Sequence, residues 1–181
     1  DIAIIEMGQS PSGDSTNTFG NGYPLLNGPP EFGSRYPIAV QFTTDAKRFS
    51  AIHDILFCVR GSTTGKMNWS DKPYAIGRGL AAIRHKHGES YKYFLKATID
   101  CNLDSMLAAA TGSTFPNISK EQIHNLEINL PPLPEQQAIA SVLSALDDKI
   151  DLLQRQNQTL EQMAATLFRQ WFIEEAKENW E

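Results

Sequence analysis

The stretch LPPLPEQQAIASVLSALDDKIDLLQRQNQTLEQMAATLFRQWF, Leu130–Phe172, decides how the chain is organised. Its opening prolines stiffen the approach, and Pro134 with Glu135 suits the first turn of a helix. With Ile139 at position d of a heptad, the d positions are Ile139, Leu146, Leu153, Leu160 and Leu167. The a positions are Leu143, Ile150, Asn157, Ala164 and Trp171. Only Asn157 among them is polar, and a single polar a residue fixes register at some cost in stability. From Pro134 to Phe172 such a helix is roughly 60 Å long at about 1.5 Å per residue, too long for one small domain to cover. The apolar stripe therefore calls for another helix, in a coiled coil. Trp171 and Phe172 suit either an anchor for a further partner or the cap of that coiled coil.

Upstream of Leu130 the pattern changes. Ile52–Val59 and Ala81–Ile83 are short apolar runs between Gly, Ser, Thr, Asn and Pro clusters, the mark of strands joined by polar loops. The first 35 residues are the most loop-like, although Asp1–Ile5 reads as a strand. Ser90–Ala110 follows the helical period, with a break around Asn102. Ser119 is a good N-cap with Gln122 at the capping-box position, and Leu126, Ile128 and Leu130 alternate as a strand. The expected class is α+β: a globular mixed α/β domain over residues 1–130, then a Pro-rich lead and a long coiled-coil-forming helix over 131–181. The chain opens on Asp1 and not on methionine, so a longer parent protein is expected.

Charge is unevenly spread. Residues 131–181 hold four Lys/Arg against nine Asp/Glu, which is the whole net charge of −5, while residues 1–130 balance at twelve of each. Between Arg35 and Lys86, nine basic residues face three acids, an electrostatic footprint fit for a nucleic acid. No apolar run reaches the roughly 18 residues that span a bilayer, and no cleavable leader pattern opens the chain, so no membrane partner and a cytoplasmic setting are expected. Cys58 and Cys101 sit in apolar stretches without ligand spacing and read as buried, reduced thiols.

Enzymatic readings fail on their chemistry. RGSTTGKM, Arg60–Met67, lacks the spacing of a phosphate-binding loop, and Met67 stands where a magnesium-binding hydroxyl is needed. His85 and His87 have no third ligand at compatible spacing, so no metal site is expected and both read as surface residues. Asp147, Asp148 and Asp151 occupy solvent-type heptad positions. No nucleophile and base stand together, and no catalytic residue is assigned.

Four stretches carry a family resemblance: GQSP (Gly8–Pro11), DILFCVRGSTTGK (Asp54–Lys66), TGSTFPNISKEQI (Thr111–Ile123) and LPPLPEQQAIASVLSALDDKI (Leu130–Ile150). The chain resembles a type I restriction-modification specificity subunit over essentially its whole length. The resemblance implies a non-catalytic subunit whose target-recognition domain reads a half-site in double-stranded DNA and whose spacer helix separates two such domains. It implies no cofactor of its own, because the partner modification (methyltransferase) subunits use S-adenosylmethionine and the restriction subunit uses ATP with magnesium. A complete subunit has two domains and two helices. The second recognition domain would come from the same longer chain or from homodimerisation through Ile139–Trp171, with the helix as a ruler for the gap between half-sites. On these motifs Gln9, Ser10, Ser12, Arg60, Ser62, Thr63, Thr64, Lys66, Thr111, Ser113 and Thr114 are expected near DNA. Lys47, Arg48 and Arg78 are assigned to phosphates from charge alone. For each Ser or Thr the competing role is to build the tight turns around Gly61, Gly65 and Gly112. The alternatives are a coiled-coil scaffold without DNA readout, which would show no salt-dependent affinity for duplex, and a nucleotide-dependent enzyme, which would bind ATP.

Overall fold

The computed structural model describes residues 2–110 and 116–174. Eight short strands come first: β1 (Ala3–Met7), β2 (Thr16–Asn17), β3 (Tyr23–Leu26), β4 (Gln41–Thr43), β5 (Ile55–Cys58), β6 (Met67–Trp69), β7 (Ala75–Ile76) and β8 (Leu80–His85). Four helices follow: α1 (Lys92–Cys101), α2 (Leu103–Ala108), α3 (Lys120–His124) and α4 (Leu133–Arg169). The first 35 residues, read as loop beyond the opening strand, also hold β2 and β3.

The strands form two sheets. Sheet A is antiparallel in the order β1-β8-β5-β6, and sheet B runs β2-β4-β3-β7 with β3 and β7 parallel. The pairing Ile5↔Ile83↔Ile55 sets these side chains on one face of sheet A, where Phe94, Leu95 and Ile99 of α1 supply further buried apolar surface. The opposite face presents Leu56, Cys58, Leu80 and Ala82 to Leu26 and Ile76 of sheet B and to Tyr74, in one dry cluster. Every residue of β5 is buried because it is covered on both faces, so its sequence is a continuous apolar run and does not alternate.

Asn102 interrupts the helical run where expected, its side-chain amide donating to the Thr98 carbonyl at 2.8 Å. The Ser119 hydroxyl accepts from Gln122 N–H, and the Gln122 side chain returns the bond to Ser119 N–H, completing the capping box of α3.

Three expectations are corrected. Residues 126–130 pair with no strand among the described residues; Leu126, Ile128 and Leu130 line an apolar cleft with Ile5, Leu95 and Ile99. The alternation was real, but it turns these side chains toward sheet A and α1 and does not form a ladder. Cys101 is exposed, because it ends α1 on its outer side, while Cys58 is buried in β5. His85 is 4% exposed, since it closes β8 beneath the start of α4.

The chain divides into two compact units, residues 1–141 and 142–181. The first unit includes the opening turns of α4, where Gln136 and Ala140 are buried. In the second, α4 runs on to Arg169 for a total of 37 residues, about 55 Å at the α-helical rise. A π-turn over Gln170–Glu174 replaces the α-helix expected as far as Phe172, which changes the angular position of Trp171 relative to the heptads before it. Leu146, Ile150, Leu153, Leu160 and Leu167 are all exposed, Leu160 to 62%. No helix of the described residues is long and apolar enough to cross a membrane.

Candidate nucleic-acid interface

The antiparallel order of sheet A brings four strand ends to one edge. Met7 and Phe57 both pair with Ala81, Cys58 pairs with Leu80, and Phe57 also pairs with Met67. The loops leaving β1 and β5 and those entering β8 and β6 therefore share one end of the sheet, although they lie far apart in sequence.

Backbone contacts fix these loops to one another. Gly8 N–H donates to the Leu80 carbonyl and Gln9 N–H to the Ile76 carbonyl, both at 2.9 Å. A Cβ on Gly8 would stand 2.1 Å from the Gly77 carbonyl oxygen, so only glycine permits this approach. Arg78 N–H then donates to Ser10 Oγ at 3.2 Å. Val59 N–H donates to the Gly79 carbonyl, and Val59 in turn accepts from Ile118 N–H.

The loop Arg60–Lys66 joins β5 to β6, strand to strand, whereas a phosphate-binding P-loop runs from strand to helix. Gly61 and Gly65 both hold positive φ, 96° and 93°, which L side chains rarely adopt. Thr64 Oγ1 donates within the loop to Gly61 and lies 2.9 Å from the Pro116 carbonyl; Thr63 Oγ1 sits 3.5 Å from Cys58 Sγ. These two hydroxyls build the turn. Arg60, Ser62 and Lys66 remain exposed, and among the described residues Arg60, Lys66 and Arg78 make no ion pair.

Gln9, Ser10, Arg60, Ser62, Thr63, Thr64, Lys66 and Arg78 thus share the loop-bearing end of sheet A. Lys47 and Arg48 precede the segment that runs beside β7, where Ile76 N–H donates to the Arg48 carbonyl, and they differ from Arg60, Lys66 and Arg78 in having acidic partners: Lys47 Nζ is 2.7 Å from Asp45, and Arg48 Nη1 is 2.9 Å from Glu6. Ser12 begins the 3-10 turn Gly13–Ser15, its hydroxyl 3.3 Å from Ser15 Oγ. Thr111, Ser113 and Thr114 lie outside the described residues.

Sequence reasoning missed Asn27 and Gln41. Asn27 Nδ2 donates to Gln41 Oε1 at 3.0 Å, and Asn27 packs so closely on the Gly77-Arg78-Gly79 turn that a Cβ on Gly77 would lie 2.3 Å from its Oδ1. Asn27-Gly28 reads from sequence only as a turn, with no signal that its amide flanks a residue 51 positions later.

The family model of the type I restriction modification DNA specificity domain matches residues 1–162. The chain belongs to this family. A Methanocaldococcus jannaschii protein assigned as the type I restriction enzyme MjaX specificity subunit is 35% identical over 157 residues, 87% of this chain and 37% of that protein. The HsdS subunit of Thermoanaerobacter tengcongensis matches with a TM-score of 0.68 and 30% identity, over 85% of this chain and 37% of that one. A chain solved in work on complex assembly and conformational transition of the type I R-M system matches with a TM-score of 0.71 and 29% identity, over 92% of this chain and 41% of that one. This specificity-subunit chain therefore spans about two-fifths of the proteins it resembles. Among the described residues, the loop-bearing end of sheet A carries exposed cations outside any ion pair, and α4 carries an exposed apolar ladder.

Proposed function

We propose that this chain is the DNA-reading part of a type I specificity subunit, recognising one half-site of duplex DNA through the loop-bearing end of sheet A. The observation that carries the reading is the gathering there of Arg60, Lys66 and Arg78, three cations without ion-pair partners among the described residues, beside Gln9, Ser10, Ser62 and the Asn27–Gln41 amide pair. Free cations displace counterions from phosphates and set the register on the duplex. Amides and hydroxyls beside them match the hydrogen-bonding edges of bases in the major groove, Asn and Gln suiting adenine.

In this reading the chain binds and orients, and the covalent chemistry belongs to its partners. Modification subunits supply S-adenosylmethionine-dependent methyl transfer, and a restriction subunit supplies ATP-driven cleavage. The exposed a and d residues of α4 support a helical partner, which is either the spacer helix of a second recognition domain in a longer chain or that of a second copy. The same helix offers the surface on which modification subunits dock.

Selection of bound duplexes from a random pool by the purified chain tests the proposal. One enriched short word is expected, with variants at Gln9, Asn27 or Gln41 relaxing single positions of it. Binding that enriches no word would leave α4 as a protein-docking scaffold.

A further inference from the structure

Gln136 lies in the first turn of α4 and is 1% exposed, with its amide satisfied at both ends. Its Nε2 donates to the Pro131 carbonyl at 2.8 Å, which turns Oε1 toward His85 Nε2 at 3.2 Å. An amide oxygen only accepts, so the network assigns the proton to His85 Nε2. The other ring nitrogen, Nδ1, accepts from His87 N–H at 3.1 Å. His85 closes β8, opposite Ala3 of β1, and its ring stacks on Tyr91 at 4.8 Å. Sheet A, the proline-rich lead and the first turn of α4 are thereby linked through two buried side chains.

We propose that the His85–Gln136–Pro131 relay is a joint that seats the root of α4 on the recognition sheet, making His85 and Gln136 positioning residues for the spacing of DNA half-sites. The spacing role rests on the proposed function; the seating role does not. The relay requires a neutral imidazole. A second ring proton would sit on Nδ1, facing the His87 N–H, and would turn an acceptor into a repelled donor. Among the described residues, the titratable groups facing the ring are His87, from the exit of β8, and Tyr91, from the turn that follows; α4 contributes the uncharged Gln136. Burial, the larger cause, and the neighbouring His87 push the imidazole below its ordinary pKa, while the bond to Gln136 opposes them.

The test uses the full chain with Gln136→Leu, which keeps much of the volume and removes both hydrogen bonds, and with Gln136→Ala. Amide hydrogen exchange at residues 136–141 is expected to quicken at least tenfold in both variants at pH 8, with β5 and β8 unchanged. In the unaltered chain the same selective quickening, relative to β5, is expected as the pH falls below the ordinary histidine value, and Gln136→Leu is expected to lack it. Loss of protection in β5 and β8 together with residues 136–141, or a pH response that survives in Gln136→Leu, would make Gln136 ordinary core and overturn the joint.

Mapping methylated adenines in cells carrying each version tests the spacing role. The half-site words are expected to persist while sites one base pair longer or shorter in the gap gain methylation tenfold. Unchanged gap stringency in a variant whose root has loosened would overturn the spacing role. A map insensitive even to deleting the unaltered gene counts against the specificity reading, and the spacing role falls with it, while the exchange data still decide the joint.

Discussion

Replacing Arg60, Lys66 and Arg78 together by glutamine separates a DNA-facing edge from a merely polar one. If each side chain neutralises one phosphate, the slope of log affinity against log salt becomes shallower by about 2.7, from about 0.9 per contact. Between about 50 and about 200 mM salt, that change corresponds to roughly 40-fold less loss of affinity in the variant than in the unaltered chain. The three side chains are exposed and make no ion pair among the described residues, so thermal unfolding should hardly move. Lys47→Gln with Arg48→Gln is the matched control. Those cations already face Asp45 and Glu6, and their removal should change the slope by less than about one unit. Fluorescence anisotropy of a labelled duplex containing the selected word, titrated at five salt concentrations, measures both. Equal slopes for the triple variant and the unaltered chain would refute the placement of DNA at this end of sheet A, and a larger effect in the control would move the interface beside β7.

Gly8→Ala should cost about 1 to 3 kcal/mol in denaturant unfolding, because its Cβ meets the Gly77 backbone and no side chain can move aside, while Gly13→Ala, with open space around it, should be neutral. Stability should fall as the pH drops below 6.5, the ordinary His value. His85 has a lowered folded pKa, so the unfolded chain binds the proton first; the penalty grows until the folded pKa is passed, and His85→Gln should flatten that part of the profile followed by chemical denaturation. Leu146→Asp with Leu160→Asp should abolish any self-association seen by sedimentation without altering the unfolding of residues 1–141, since both side chains are exposed on the second unit. Loss of the globular unfolding transition in that variant would contradict the surface role of the ladder.

How much of this was legible in the sequence depends on how local each signal is. The α4 ladder, the Ser119–Gln122 capping box and the Asn102 break are set by neighbours within a few residues, and each was readable. β5 could be read as buried from its unbroken apolar run. The pairing of residues 126–130 could not, since alternation reports which side chains face inward but not whether a strand edge is available beside them. His85 looked like a surface residue because the partner that satisfies it, Gln136, lies 51 positions away. The proposed interface was partly legible: the loops holding Gln9, Arg60 and Lys66 could be named from motifs. Charge alone could not separate Arg78, which makes no ion pair among the described residues, from Lys47 and Arg48, which have acidic partners. The Asn27–Gln41 pair depends on the pairing of β3 with β4 in sheet B, which no short pattern encodes.

The central claim, that this chain selects the DNA word its system modifies, is tested most directly by mapping methylated adenines across the source genome with the gene intact and then disrupted. One gapped motif is expected to disappear on disruption, palindromic if two copies pair through α4 and asymmetric if the second recognition domain belongs to the same longer chain. An unchanged map, with the modification subunits shown to be expressed, would contradict it.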